Sequence, residues 1–153
     1  MIIETQLTKP QLTRLAILHH IQRKQFYFYA ITAALITVFA VVQQLFALLV
    51  VVWLPFLLYL AIGIYGAYRD AANEAHPAYQ PTTYKFTEKG VAVNTTQGSS
   101  QLNWDQFSNW SVIANIYVLT LKQGAMLAIP QSSIKTTQVA KFRAMLNNRI
   151  KNK

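Results

Sequence analysis

The sequence predicts an α+β protein, in which a two-helix transmembrane hairpin is followed by a six-strand antiparallel domain with a C-terminal helix. Three observations support this prediction. No Asp, Glu, Lys or Arg occurs between Lys24 and Arg69, which is typical of chain that lies in lipid. At Thr82 the apolar residues change from helical spacing to strand alternation. From residue 137 to residue 148 the helical spacing returns.

The composition limits the class of protein. Of 153 residues, 53% are apolar and only 12% are charged, whereas an ordinary soluble domain carries about 25% charged residues. This excludes a well-solvated globular protein and disorder by composition. The chain has no Cys, so a disulfide scaffold, a thiolate zinc site and a cysteine nucleophile are excluded. Its net charge of +9 favours anionic partners.

The uncharged stretch is long enough for two membrane spans. Gln43 and Gln44 divide it into residues 26–42 and 45–65, and one span needs about 17–25 apolar residues. A signal peptide is the competing interpretation, but its apolar core would be only about 7–15 residues long. We therefore expect two helices joined by a tight polar turn, because unpaired backbone groups are not tolerated in lipid.

The charges beside the hairpin predict its orientation. Arg14, Arg23 and Lys24 precede the first span and Arg69 follows the second, while the turn between the spans carries no charge. Basic residues stay on the cytoplasmic side of a membrane. The sequence therefore predicts a two-pass membrane protein with both termini in the cytoplasm.

The chain before the hairpin, residues 1–25, is predicted to form an amphipathic basic helix. Thr8 and Gln11 have the spacing of a capping box. Two interpretations of this helix stay open: it lies at the membrane interface, or it packs on the protein's own soluble domain. The other predicted segments are the hairpin at 26–66, a linker at 67–81 and the C-terminal domain at 82–153.

The C-terminal domain is predicted from short alternating runs separated by turn residues. Gly90 follows the first run, where we expect a turn that needs a positive φ. Gln123-Gly124 is a hairpin signal, and Pro130 ends the last run. The predicted strands cover residues 84–87, 91–95, 100–104, 109–114, 116–122 and 126–129. On the closing helix, the predicted apolar stripe consists of Val139, Phe142, Leu146 and Ile150.

The order of these elements resembles the YcxB-like family of bacterial membrane proteins. The resemblance is carried by the run from Tyr84 to Val91, by Leu102-Asn103-Trp104-Asp105, by Ala128-Ile129-Pro130 and by Phe142-Arg143. It implies a small domain similar to the bacterial pleckstrin-homology-like (PH-like) domains and no known catalytic activity. The family usually has a basic residue after the proline, whereas this chain has Gln131. No functional residue is carried over from the family.

Catalytic motifs are missing from the sequence. There is no phosphate-binding glycine loop, no GxGxxG and no HExxH. Glu88 and Asp105 are the acids of the C-terminal domain, and nothing in their spacing pairs them as acid and base. We expect no enzyme, no cofactor and no metal site. Trp104, Phe107 and Trp110 favour a domain core over a platform that stacks nucleic-acid bases.

The leading functional hypothesis is a non-enzymatic, membrane-anchored module. Its cytoplasmic PH-like domain would bind a protein partner or anionic lipid headgroups, because residues 82–153 hold nine basic and two acidic residues. The alternative is a small accessory subunit of a transporter or envelope complex that acts through the hairpin and forms a homo-oligomer. The predicted residues for contact with anionic lipid are Arg23, Lys24, Arg149, Lys151 and Lys153.

Overall fold

A computed structural model describes residues 1–150 of the protein. The contacts between its residues divide the chain into two compact units. The sheet unit contains Met1–Leu12 and the chain from Glu74 onward, and the helical unit contains Thr13–Asn73. The α+β fold predicted from the sequence is confirmed.

Two long apolar helices form the helical unit. Helix α2 covers Lys24–Val42 and α3 covers Ala47–Ala72, while a shorter helix, α1 (Lys9–Ile21), enters the unit at Thr13. With 19 and 26 residues, α2 and α3 extend about 28 and 39 Å at 1.5 Å per residue. By length and composition, both can cross a membrane. Helix α3 ends seven residues after the predicted span, because the prediction counted only the apolar residues.

The turn between α2 and α3 lies at the predicted glutamine pair. Gln44 has a φ of 56°, in the left-handed region that usually favours glycine. The N–H of Leu45 donates to the carbonyl of Ala40 at 2.8 Å, and the N–H of Gln44 donates to that of Val41 at 3.2 Å. These two bonds form a Schellman motif, which satisfies carbonyls that the end of α2 would otherwise leave unpaired.

Helices α2 and α3 are joined by a polar contact. Trp53 Nε1 donates to the Thr37 hydroxyl at 2.9 Å, and that hydroxyl donates to the Ala33 carbonyl at 2.7 Å. Such bonds between apolar helices contribute about 0.6 kcal/mol on average in a membrane. The only buried side chains of the two helices, within the described residues, are alanines.

The beginning of α1 matches the predicted cap. The N–H of Thr8 donates to Gln11 Oε1 at 3.0 Å, which is one half of a capping box. No residue of α1 is buried, but the ring of His20 lies 4.5 Å from the ring of Tyr59 in α3. A Cβ on Gly63 would collide with the same imidazole. Gly63 therefore allows this close approach of α1 to α3.

Seven antiparallel strands form two sheets in the sheet unit. The first sheet has the order β1-β2-β3-β4 and the second the order β5-β6-β7, and α4 (Thr136–Arg149) closes the fold. The strands are β1 Ile2–Thr5, β2 Thr82–Phe86, β3 Gly90–Thr95, β4 Gly98–Asn103, β5 Phe107–Ile113, β6 Ile116–Leu121 and β7 Met126–Pro130. The six predicted strands and the final helix are confirmed within a few residues at each end.

Strand β1 was not predicted, so the sheets contain seven strands rather than six. It pairs with β2, and Ile3 lies opposite Tyr84 in the register. The N–H of Phe86 also donates to the Met1 carbonyl at 2.7 Å. Four residues before a helix give too short an alternation to identify a strand, and the partner strand follows some eighty residues later.

Gly90, the first residue of β3, has a different role from the predicted one. Within residues 1–150, the glycines with positive φ are Gly98 and Gly124, so the expectation of a positive φ at Gly90 was wrong. A Cβ on Gly90 would instead collide with the carbonyl oxygen of Leu102 in β4. Glycine is needed here because the backbones of β3 and β4 approach closely.

The core of the sheet unit is aromatic. Phe142 is completely buried on α4, and its ring makes edge contacts with Phe86 and Tyr117 at 5.1 Å each. The ring of Trp104 stacks against Phe86 at 6.2 Å. Leu146 and Ile150 complete the buried stripe of α4, as predicted, whereas Val139 is only partly buried.

Candidate functional site

Exposed basic side chains are the main polar feature of the sheet unit. Its described part contains eight basic and four acidic residues. Within residues 1–150 one salt bridge forms, between Lys9 Nζ and Glu74 Oε1 at 3.4 Å. Six exposed cations have no salt bridge to a described residue: Lys85, Lys89, Lys122, Lys135, Lys141 and Arg149.

Helix α4 carries two of these cations. Phe142 and Leu146 are four residues apart and face the core. Lys141 and Arg149 are both exposed on this helix. Arg149 occupies the last turn, where a cation also interacts favourably with the helix dipole.

Arg143 contributes to the fold rather than to this exposed set. Its Nε donates to the Tyr117 hydroxyl at 2.7 Å, and its guanidinium carbon lies 5.7 Å from the centre of the same ring. Tyr117 is completely buried in β6. The bond satisfies a polar group of the core and fixes α4 against the second sheet.

The predicted lipid-contact residues fall into three groups. Arg23 and Lys24 are exposed at the start of α2 in the helical unit, and Arg149 is exposed in the sheet unit. Lys151 and Lys153 lie outside the described residues. The prediction that these five residues contact anionic lipid stays a prediction.

His19, in α1, lies near two of these charges. Partial burial, followed by the nearby charges of Arg23 and His20, lowers the pKa of His19 below its usual value. The imidazole is therefore neutral at physiological pH, and the positive charge at this end of the helical unit comes from the Arg and Lys side chains.

The aromatic residues of the central strands form core rather than a stacking platform. Trp104 and Phe107 are buried with ring centres 5.8 Å apart, and Trp104 Nε1 donates to the Thr87 carbonyl at 3.1 Å. The ring of Trp110 lies 6.1 Å from that of Tyr117. Trp104 thus connects the end of β4 to the first hairpin of the sheet unit.

A cavity in the sheet unit was missed by the sequence analysis. It has a volume of about 250 Å³ and lies between β1–β3 and β7. Thr5, Tyr84 and Ala128 are among its lining residues. Burial raises the pKa of Tyr84 to about 12, so its hydroxyl remains protonated. No local signal could have indicated this cavity, because its walls come from four separate parts of the chain.

A second cavity lies within the helical unit. It has a volume of about 300 Å³ and is lined by residues of α2 and α3, including Thr32, Ala33, Pro55 and Phe56. Within residues 1–150, no group of three or more His, Asp or Glu side chains could hold a metal ion.

Comparison with known proteins identifies part of the chain. The family model described as YcxB-like protein matches residues 86–146, from the end of β2 into α4. None of the curated proteins compared with the chain matches it, and none of the solved structures does. The match includes Trp104, Pro130 and Phe142, on which the resemblance was based. From Phe86 to Leu146, the chain is similar to the YcxB-like family.

Proposed function

We propose that this protein is a non-enzymatic membrane-anchored module, whose sheet unit binds anionic lipid headgroups at the cytoplasmic face of the bacterial inner membrane. The observation that carries the proposal is the set of six exposed cations without a salt bridge to a described residue. In this proposal α2 and α3 are the anchor, and the sheet unit is a PH-like domain. A protein partner in place of the lipid is an outcome of the test below.

The exposure of the long helices supports membrane anchoring. In the most apolar window of each helix, 11% of the residues are buried in α2 and none in α3. A core helix of a soluble protein would be mostly covered by its own fold. Since large apolar surfaces are unfavourable in water, lipid is the environment that suits these helices.

The charges support a cytoplasmic location for both ends of the hairpin. Arg23 and Lys24 precede the exposed apolar part of α2, and Arg69 lies near the end of α3. The Gln43-Gln44 turn carries no charge. This distribution matches the preference of basic residues for the cytoplasmic side.

Cysteine labelling tests the topology. The chain has no Cys, so Gln43→Cys and Lys89→Cys each introduce a single reactive thiol. From outside intact cells, an impermeant maleimide should label the first variant and not the second. Labelling of Lys89→Cys without labelling of Gln43→Cys would show the opposite orientation.

The attraction to lipid should follow simple electrostatics. A basic residue near an anionic leaflet contributes about 1 kcal/mol. Charges are screened over about 10 Å at 0.1 M salt. Contact between α4 and the bilayer should therefore require anionic lipid and should weaken as the salt concentration rises.

A fluorescence experiment on the full chain measures this contact. A fluorophore is attached to Ala144→Cys on the exposed side of α4, and the protein is placed in nanodiscs with a headgroup-linked quencher. Quenching should be stronger with phosphatidylglycerol than with phosphatidylcholine in low salt, and this difference should disappear near 0.5 M salt. The full chain is required because β1 belongs to the sheet unit.

A pair of charge variants locates the contact. Arg149→Gln with Lys151→Gln and Lys153→Gln should reduce the quenching in phosphatidylglycerol severalfold. A second triple variant, Lys85→Gln with Lys89→Gln and Lys122→Gln, removes the same charge from the strands and turns, and comparison of the two variants shows which of the cations contact the lipid. Equal quenching in both lipids, or quenching indifferent to salt, would reject headgroup binding and favour a protein partner.

The cavity between α2 and α3 favours a second candidate function. A cleft of about 300 Å³ beside Pro55 could accept a side chain of another membrane subunit, so that the hairpin acts as an accessory of a transporter or envelope complex. Ala33→Leu would fill part of this cleft. Loss of a co-purified subunit in Ala33→Leu, with unchanged quenching of α4, would favour this function over headgroup binding.

A further inference from the structure

The cavity of the sheet unit lies between the two sheets and is partly open to solvent. Its inner wall is formed by Leu7, Tyr84 and Val93, which are 6 to 8% exposed, and its rim includes Met126, which is 46% exposed. In the register of the first sheet, Tyr84 lies opposite Val93, so both side chains project from the same face. The volume of about 250 Å³ is several times the roughly 30 Å³ that one water molecule occupies.

One polar side chain at the cavity has an unused hydrogen-bonding group. Thr5 is 9% exposed and lines the cavity, and its hydroxyl has no hydrogen-bond partner within residues 1–150. The neighbouring Thr82 differs, because its hydroxyl donates to the Gln80 carbonyl at 3.1 Å. A buried hydroxyl without a partner is destabilising, so a ligand oxygen beside Thr5 would be favoured.

Two other lining residues can donate hydrogen bonds. His76 Nδ1 accepts the N–H of Ala78 at 3.1 Å, so the proton of the neutral ring is on Nε2. The hydroxyl of Tyr84 is protonated at physiological pH, as that of an ordinary tyrosine is, and burial raises its pKa further, to about 12. Thr5, His76 and Tyr84 thus supply donors, which would match an accepting oxygen on a ligand.

The lining contains no Asp, Glu, Lys or Arg among the described residues. A charged ligand group would have to leave water without an opposite charge to pair with, which is unfavourable. The apolar wall and the donor groups together fit a molecule with an apolar body and one uncharged polar end.

We propose that the cavity between β1–β3 and β7 binds a small uncharged carbonyl compound, whose oxygen accepts a hydrogen bond from Thr5 and whose apolar body lies against Leu7, Val93 and Ala128. This ligand is chemically distinct from an anionic headgroup, so the inference does not depend on the proposed function.

Fluorine NMR of the full chain in nanodiscs tests this site with three probes of similar shape. Para-fluoroacetophenone carries a carbonyl, para-fluoroethylbenzene lacks it, and para-fluorobenzoate carries a charge. After subtraction of the signal from empty nanodiscs, the ketone should bind saturably. It should bind about two- to tenfold more tightly than the hydrocarbon, the range expected for one hydrogen bond, and the benzoate should bind most weakly.

Two pairs of variants place the binding in the cavity. Thr5→Val should remove the preference for the ketone over the hydrocarbon, whereas Thr5→Ser should keep it. Ala128→Leu should reduce the affinity for both neutral probes by filling the cavity. Its control, Ala125→Leu, changes an exposed residue outside the lining and should leave the affinity unchanged. Circular dichroism verifies that each variant is folded.

Several results would overturn the proposal. The first is the absence of saturable binding beyond that of empty nanodiscs, which would mean that the cavity holds only water. The others are an unchanged affinity in a folded Ala128→Leu variant, an equal affinity for the ketone and the hydrocarbon in the native chain, and tighter binding of the benzoate than of the ketone.

Discussion

The two units of this protein bury opposite kinds of side chain. In the sheet unit the fully buried residues are large, with Phe142 and Tyr117 completely covered. In the helical unit the buried residues are small, namely Ala33, Ala40, Ala67 and Ala71, while large residues such as Phe28 are exposed.

The solvent around a fold determines which side chains are favourably buried. In water, burial of large apolar side chains is the main driving force for folding. In lipid that force between helices is missing, and small residues let the backbones approach each other. The difference between the units is the one expected if the sheet unit folds in water and the helices fold in a bilayer.

The largest effect is expected from Phe142→Ala. Removal of this ring should lower the free energy of unfolding of the sheet unit by about 3–5 kcal/mol, the usual cost of a truncated core phenylalanine. Urea unfolding of the full chain in nanodiscs, followed by tryptophan fluorescence, measures the change. Phe28→Ala is the matched control, because Phe28 is 68% exposed in α2. A loss below about 1 kcal/mol for Phe142→Ala, or equal losses for both variants, would contradict the comparison.

The next largest loss of stability is expected from β1, the strand that was not predicted from the sequence. Ile3 is 3% exposed and Ile2 is 63% exposed, so the two neighbours point to opposite faces of β1. Ile3→Ala should destabilise the sheet unit by about 2–4 kcal/mol, and Ile2→Ala should have little effect in the same urea experiment. Equal effects of the two substitutions would mean that β1 does not contribute a buried face.

A smaller effect is expected where α1 approaches α3. Gly63→Ala should cost about 1 kcal/mol, because the new methyl group would force the His20 ring away from Tyr59. Hydrogen exchange of the α1 amides, measured by mass spectrometry, should become faster. Gly66→Ala is the control, since its Cβ meets nothing within 4 Å, and it should stabilise the helix slightly. Unchanged α1 exchange in Gly63→Ala would reject the close contact.

The smallest effect is expected from the bond between α2 and α3. Thr37→Val removes the acceptor of Trp53 Nε1 and should cost about 0.6 kcal/mol. A double-mutant cycle with Trp53→Phe, measured by detergent-induced unfolding, isolates the coupling between the two side chains. Thr37→Ser keeps the hydroxyl and should retain most of the coupling. A coupling energy of zero would show that the bond does not stabilise the hairpin.

The elements with strong local patterns were predictable. The uncharged stretch after Lys24 indicated both long helices, and the spacing of Phe142 and Leu146 indicated the buried face of α4. In each case neighbouring residues along the chain carry the whole signal. The same holds for the YcxB-like resemblance, since its motifs are continuous in sequence.

The candidate sites were only partly predictable. Arg149 was predicted to lie outside the apolar stripe of α4 and is exposed, as a charged side chain usually is. The role of Arg143 did not follow, because its partner Tyr117 lies 26 residues earlier in the chain. The requirement for glycine at position 90 was predicted for the wrong reason, since it depends on the Leu102 carbonyl of the neighbouring strand.

The sequence by itself determined the class of fold, the positions of the apolar helices and the excess of positive charge, because composition and short-range periodicity encode these properties. Only the tertiary structure decided that β1 joins the first sheet through Ile3 and Tyr84, and that Thr5 and Ala128 line one cavity. Pairing of distant strands depends on which edges and faces remain available after the local elements form. The packing of the whole unit therefore determines which distant strands pair, and this pairing cannot be predicted from a local sequence pattern.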